Sequence, residues 1–433
     1  MSVPAPPLQE CFRTFGYIGL NSFGGPAGQI AVMHRVLVEE KRWLSEARFL
    51  HALNFCMLLP GPEAMQLATY SGWLLHGTRG GILAGLLFVL PGAAAVLLLS
   101  MLYAAFHDTV ALASVFLGLR AAVIVIIAEA VVRIGRKTLK TTFSFAVAAA
   151  AFAGLLFLHL PYPVVIAGAA CVGYLRSRSH SAPPEKDTPG AGTAGRIRSS
   201  AITVAVWGGL WICPIALLLF AAGPGSVWFQ IAWLFSKAAV LTFGGAYAVL
   251  AYLAQQAVTQ YGWLTPGGMA DALALAETTP GPLILVTEFV GFFAAHQNSG
   301  ILPGWMAGIL GALLTLWVTF VPCFLWIFLG APYMEQLRRN QALAGALAAI
   351  TAAVVGVILQ LGVWFALHAL FEHVDGQQFG AIHWLSPQWV SFRWPVAVLT
   401  AAAAIAAFRF HAGMLSLIAG CGALGGLWYA VAG

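Results

Sequence analysis

Residues 81–106, GILAGLLFVLPGAAAVLLLSMLYAAF, contain no Asp, Glu, Lys or Arg. A run this long and this apolar has one stable fate. About 20 helical residues cross about 30 Å of hydrocarbon, and a helix pairs its own backbone polar groups there. A second run, QALAGALAAITAAVVGVILQLGVWFALHALF at 341–371, has the same character. Over all 433 residues 60% are hydrophobic and 8% charged, which is far from a soluble domain. The sequence therefore predicts an all-α polytopic membrane protein whose main solvent is the lipid bilayer.

Within that apolar background one pattern occurs twice. LLPGPEAMQL at 58–67 and TTPGPLILV at 278–286 each place two prolines around a glycine inside a helix-like run. Phe23-Gly24-Gly25 pairs with Phe243-Gly244-Gly245, Trp43-Leu44 with Trp263-Leu264, and Pro60-Gly61-Pro62 with Pro280-Gly281-Pro282, all at one constant offset of 220 residues. Three clusters holding one spacing mark two homologous halves. Residues 1–175 form the N-terminal half and 201–433 the C-terminal half. Between them 176–200, RSRSHSAPPEKDTPGAGTAGRIRSS, is rich in Pro, Gly, Ser and charge and reads as a flexible linker.

Basic residues orient the halves, because short cytoplasmic loops are enriched in Lys and Arg. Segments 12–33, 49–76, 228–257 and 267–297 are taken to dip into the membrane and return, while the other apolar segments span it. With the N-terminus inside, all 21 basic residues except Arg120, Lys237 and Arg393 then fall on the cytoplasmic side. The basic loop 34–48 is inside, whereas its uncharged equivalent 254–268 is outside. Two halves in inverted orientation are the expectation, an architecture that puts a transporter's binding site near the bilayer midplane. The expected location is the plasma (inner) membrane, with the N-terminus and residues 176–200 cytoplasmic.

Proline lacks an amide donor and glycine relaxes φ, so each PGP should end one helix and start another. At membrane depth such a break is tolerated only against protein or a wet cavity. The amides of a new helix start carry partial positive charge and favour an anion. The candidate substrate-binding residues are therefore Phe23, Gly24, Gly25, Pro60, Gly61, Pro62, Phe243, Gly244, Gly245, Pro280, Gly281 and Pro282. Lys237, six residues before Phe243, and Arg120, which shares segment 109–132 with Glu129, would add positive charge. A charge at this depth pairs or faces a pathway, and for Arg120 a structural ion pair is the equal alternative.

Glu63 directly follows the first PGP and Glu277 precedes Pro280 by three residues. Both are candidate proton carriers, whose charge would repel an anion when ionised and whose protonation would admit it. For Glu63 a helix cap is the simpler alternative. Asp271 and Glu288 are weaker candidates. Trp43 and Trp263 fall at predicted span boundaries and are expected to anchor at the headgroups. The outer loop 372–389 carries Glu372, His373, Asp375 and His383 at spacings that fit no standard metal site, and the six cysteines are scattered singly. Neither a metal nor a cofactor is expected.

The stretches NSFGGPAGQI, EKRWLSEARFLHALNFCMLLPGPEAMQLATYSGWLLHGTRGG, LTFGGAYAVL and GWLTPGGMADALALAETTPGPLILVTEFVGFF resemble the chromate ion transporter (CHR) family in its long-chain, two-domain form. The likeness covers nearly the whole chain. It implies export of chromate from the cytoplasm, giving chromate resistance, with sulfate as a related substrate of the same tetrahedral shape and charge. Uptake of sulfate or another anion, or a passive anion channel, is the alternative the same fold allows, and a homodimer is one assembly open to it. The chain has no GxxxxGK[ST] motif and so no ATPase of its own, a separate ATPase subunit staying open; the expectation is a secondary transporter driven by the proton gradient. HExxH, GxSxG and an aspartate-rich pair are also missing, so no enzyme is expected. The pI of about 9.1 follows from the inside-facing basic residues and not from nucleic-acid binding.

Overall fold

The computed structural model describes residues 6–106, 109–178, 193–243, 246–334, 341–380 and 382–432. In chain order the helices are α1 (Leu8–Leu20), α2 (Gly25–His34), α3 (Glu46–Cys56), α4 (Glu63–Phe106), α5 (Val110–Thr138), α6 (Thr142–Leu156), α7 (Tyr162–Arg178), α8 (Thr193–Thr203) and α9 (Gly209–Ala222). They continue with α10 (Val227–Leu241), α11 (Ala246–Ala254), α12 (Pro266–Thr278), α13 (Val286–Gln297), α14 (Gly304–Gly330), α15 (Gln341–Leu370), α16 (Trp394–Phe410) and α17 (Met414–Ala432). Helix α7 runs to Arg178 and α8 starts at Thr193, so both ends of the segment read as a linker are helical. The linker residues 179–192 and the candidate residues Gly244 and Gly245 lie outside the described residues.

Among the described residues five helical stretches are long and apolar enough to cross a membrane: Glu63–Phe106, Ser114–Thr138, Arg198–Ala222, Gly304–Tyr333 and Gln341–Leu370. Shorter apolar helices accompany them. Helix α9 buries none of its side chains, and Phe220 is 87% exposed. An apolar helix that, outside its contacts with α10 and α14, leaves most of its surface uncovered is stable only in lipid. The chain is a multi-pass membrane protein.

Packing groups the chain into two compact units. The first holds Met1–Leu97, Gly173–Ala246 and Thr279–Leu347, and the second Leu98–Val172, Tyr247–Thr278 and Ala348–Gly433. Each unit draws on both sequence halves, so the halves are repeats in sequence while the packing interleaves them.

Local breaks in the first unit have identifiable causes. Gly24, at φ 84, takes the left-handed conformation that costs glycine little, and Pro26 suits the first turn of α2. Ser45 caps α3 by accepting from the Arg48 amide. Within α4, His76 and Gly77 leave helical geometry and divide it into a short and a long helix.

The repeat also appears in backbone bonding that no residue motif announces. Arg35–Glu40 and Gln255–Gln260 are both π-helical turns, at the same offset of the chain. The Lys41 amide donates to the Val36 carbonyl at 2.9 Å and the Tyr261 amide to the Gln256 carbonyl at 2.9 Å. Trp43 and Trp263 then donate to Leu37 and Ala257 at 2.9 and 2.8 Å. These bonds fold each loop back on its own helix. For Trp263 the result is burial at 3% exposure, stacked on Tyr261 with ring centroids 4.4 Å apart. Trp263 is thus a core residue of its unit and not the headgroup anchor expected.

In the second unit α5 packs against α12, α16 and α17. Arg120 on α5 donates Nε and Nη2 to the two carboxylate oxygens of Asp271 on α12, at 2.8 and 2.9 Å, and the Tyr103 hydroxyl donates to the same carboxylate at 2.8 Å. This bidentate geometry is what a guanidinium and a carboxylate do best. Glu129 instead meets Arg133 one turn along its own helix at 3.7 Å. The loop after α15 is more ordered than expected. Val374–Phe379 and Ile382–Pro387 pair as an antiparallel hairpin.

Asp271 is 2% exposed in this pair, so removing it strands a guanidinium in an apolar unit. Asp271→Ala should lower stability by about 3–5 kcal/mol, read as a large drop in the melting temperature of purified protein. The exchange of both residues, Arg120→Asp with Asp271→Arg, should recover part of that loss. Equal melting of Asp271→Ala and the parent would show the pair to be dispensable.

Candidate functional site

Both PGP turns lie in the first unit, and each is tied to the end of a helix from the opposite half. The Gly61 amide donates to the Thr242 carbonyl at 2.7 Å, and the Gly281 amide to the Ser22 carbonyl at 2.8 Å. Gly61 and Gly281 are equivalent in the repeat, as are Ser22 and Thr242. The exchange is therefore reciprocal. Behind each acceptor the side-chain hydroxyl is turned back onto its own helix: Ser22 Oγ donates to Ile18 O and Thr242 Oγ1 to Ala238 O, both at 2.6 Å. Those hydroxyls close the ends of α1 and α10, leaving the residue's own carbonyl for the glycine of the other half.

Glycine is needed at both turns. Gly61 sits at φ 123 and Gly281 at φ 93, where a side chain is strained. A Cβ on Gly61 would also press on the Gln66 amide and on Cys323. Gln66 Nε2 donates to Pro60 O and Gln29 Nε2 to Gly281 O, both at 2.6 Å. Each PGP thus has a buried glutamine bonded to one of its carbonyls. The Oε1 atoms of Gln29 and Gln66 are buried and have no hydrogen-bond partner among the described residues.

Helix α4 starts at Glu63, directly after the first PGP, and a 3-10 turn Leu283–Leu285 leads from the second into α13. The first-turn amides of such starts lack intrahelical acceptors and carry the positive end of the helix dipole. Pro60 and Pro280 are partly exposed while Gly61, Pro62, Gly281 and Pro282 are buried. Phe23 and Phe243 are partly buried and flank the two helix ends. The arrangement places two backbone-built positive ends, one from each half, in one unit.

The charged candidates are placed differently from one another. Glu63 is partly buried at the first residue of α4. Lys237, on α10, holds its ammonium 5.5 Å from the ring centroid of Trp233, a residue 47% exposed. Arg120 is committed to Asp271 in the second unit. Glu277, also in the second unit, accepts a 2.6 Å hydrogen bond from the Tyr247 hydroxyl, and its other oxygen has no hydrogen-bond partner among the described residues. Sequence reasoning passed over Gln29 and Gln66. Their one signal was an amide side chain inside an otherwise apolar helix.

Substituting Gly281→Ala should cost about 1–2 kcal/mol, mainly through backbone strain, with the new Cβ 3.2 Å from Leu285 Cδ1. Gly61→Ala should cost more, because Gln66 and Cys323 must also move. Thermal melting of the two purified variants ranks them, and the reverse order would mean that strain outweighs contact at this turn.

A protein-family model described as Chromate transporter matches residues 9–174 and 229–426, once in each half. Among curated proteins, a chromate transport protein of Pseudomonas aeruginosa is 33% identical over 359 residues, 82% of this chain and 80% of its own. A probable chromate transport protein of Synechococcus elongatus is 31% identical over 367 residues, 83% of this chain and 86% of its own. A chromate transport protein of Cupriavidus metallidurans is 30% identical over 360 residues, 82% of both. No solved structure matches. With both halves matched by one model and relatives covered over most of their length, the chain belongs to the chromate transporter family.

Proposed function

We propose that this chain is a secondary transporter that exports chromate from the cytoplasm, accepts sulfate at the same site, is coupled to the proton gradient and so gives chromate resistance. The observation that carries this reading is the reciprocal pair of bonds from Gly61 to Thr242 and from Gly281 to Ser22. They hold two helix starts, one from each half, in a single compact unit. Chromate and sulfate are both tetrahedral dianions, and backbone amides at helix starts bind such groups without the permanence of a buried salt bridge. Relatives named as chromate transport proteins support the choice between anions.

In this reading Phe23, Gly24 and Gly25 with Phe243, Gly244 and Gly245 let backbone approach the anion, and the two PGP turns aim the helix starts. Lys237 raises the local positive potential from α10. Glu63 and Glu277 are the proton carriers. The halves 1–175 and 201–433 face opposite sides of the plasma membrane. The long part of α4 with α5, α6 and α7 is an even set of spans, which returns the chain to its starting side. The single span of α8 and α9 then carries the second half across.

Labelled chromate uptake into inside-out vesicles tests the function. Accumulation should depend on an imposed proton gradient and fall with excess sulfate. Vesicles with folded protein that take up no more than empty ones would defeat the chromate reading, and uptake indifferent to the gradient would favour a channel. Replacing Glu63 by Gln should alter the pH profile of uptake. An unchanged profile removes Glu63 from the mechanism. Cysteines placed in 34–48 and 258–266 should label from opposite sides, and labelling from one side would overturn the inversion.

A further inference from the structure

Glu288 stands apart from the other described acidic residues. It is 0% exposed, and both of its carboxylate oxygens are buried without a hydrogen-bond partner among the described residues. It lies in the first turn of α13, six residues after Pro282. No described basic side chain forms an ion pair with it. An ionised carboxylate in that position would be an unpaired buried charge, which costs far more than carrying a proton.

The elements packed on α13 explain why nothing relieves that cost. They are α14, α10 and the 3-10 turn Leu283–Leu285. Their titratable side chains are few. On α10, Lys237 is turned over Trp233. On α14, Cys323 donates its Sγ hydrogen to Thr319 O at 3.3 Å. On α13 itself, His296 lies two turns away among Phe292, Phe293 and Trp305. The 3-10 turn has none.

Geometry links the acid to the PGP region. Gly291 of α13 packs against Thr315 and Gly311 of the antiparallel α14. Three residues earlier, Glu288 comes level with the stretch from Thr315 to Thr319. Thr319 Oγ1 is buried and has no hydrogen-bond partner among the described residues, and one turn farther Cys323 reaches Gly61. Beside the two turns stand the unpaired acceptors of Gln66 and Gln29. These are buried polar atoms that no described group satisfies.

We propose that Glu288 is a proton-binding site of the transport cycle. It carries its proton while α13 is closed against α14 and exchanges it with water when the region around the second PGP opens. The step moves one proton between the carboxyl and water, leaving a carboxylate, and alters no other bond. Glu63 and Glu277 differ in kind. Glu63 opens α4 and is only partly buried, and Glu277 accepts a hydrogen bond from the Tyr247 hydroxyl. Glu288, although it too lies in the first turn of a helix, is fully buried and accepts no hydrogen bond from any described residue, so its ionisation is tied to a change of conformation. That tie is what couples a proton gradient to the movement of an anion.

This inference rests on the proton-coupled reading above. The test uses full-length protein in liposomes with chromate as the probe, and compares the parent with Glu288→Gln and Glu288→Asp. Three quantities are read: accumulation driven by a proton gradient, exchange of labelled for unlabelled chromate without a gradient, and the infrared band of a carboxylic acid. Glu288→Gln should lose gradient-driven accumulation by about tenfold or more, keep exchange near the parent rate, and lose one acid band. Glu288→Asp should retain accumulation with a displaced pH profile and a shifted band. Accumulation unchanged in Glu288→Gln, exchange lost together with accumulation at unchanged melting temperature, or an unaltered acid band would each overturn the proposal. Should Glu288→Gln not fold, the band shift in Glu288→Asp decides alone. A parent protein that exchanges chromate but ignores the proton gradient, or follows a sodium gradient instead, would defeat the underlying coupling and this site with it.

Discussion

A backbone amide without a partner costs several kcal/mol in hydrocarbon, so a helix can be broken at membrane depth only where another segment supplies the missing bond. In this chain the supply is mutual. Each PGP glycine gives its amide to the carbonyl at the end of a helix from the other half, and each of those carbonyls is freed because the neighbouring hydroxyl, Ser22 or Thr242, caps its helix instead. Neither turn could stand alone. The requirement also explains why the motif occurs twice: a single copy would leave one glycine amide and one helix-end carbonyl without partners.

The same accounting separates the charged residues. Asp271 is almost fully buried yet accepts from Arg120 twice and from Tyr103 once, so its charge is met and the cluster serves packing. Glu288 is as deeply buried and accepts from nothing described. Burial alone therefore does not distinguish an acid whose charge is met from one whose charge is not. The number of donors aimed at it does, because an acid with all donors in place has no reason to change its protonation during a cycle.

How much could be read from the sequence follows from the range of each interaction. The long apolar helices were legible because hydrocarbon acts on every residue of a segment. The paired FGG and PGP motifs were legible because glycine and proline are required by local backbone geometry. The π turns were not, since RVLVEE and QQAVTQ share only Val38 and Val258 and a slipped hydrogen bond has no residue signature. The Arg120–Asp271 pair joins residues far apart in the chain, where no spacing rule applies. Trp263 was misread for a related reason. A tryptophan at a helix boundary looks like an anchor until the loop is known to fold inward onto Ala257. The interleaving of the halves into two packing units is likewise a tertiary fact.

Interleaving has a mechanical consequence. If each half were one packing unit, the two PGP turns would lie in different bodies, and motion between the bodies would break the bonds that satisfy them. Both turns and both helix ends instead fall within the first unit. The reciprocal bonds can then persist while the rest of the protein rearranges, and the two helix starts keep a fixed spacing. In the proposed function, selectivity for an anion of one size would draw on that constancy, because a site whose amides drift apart no longer distinguishes a tetrahedral dianion from a smaller ion.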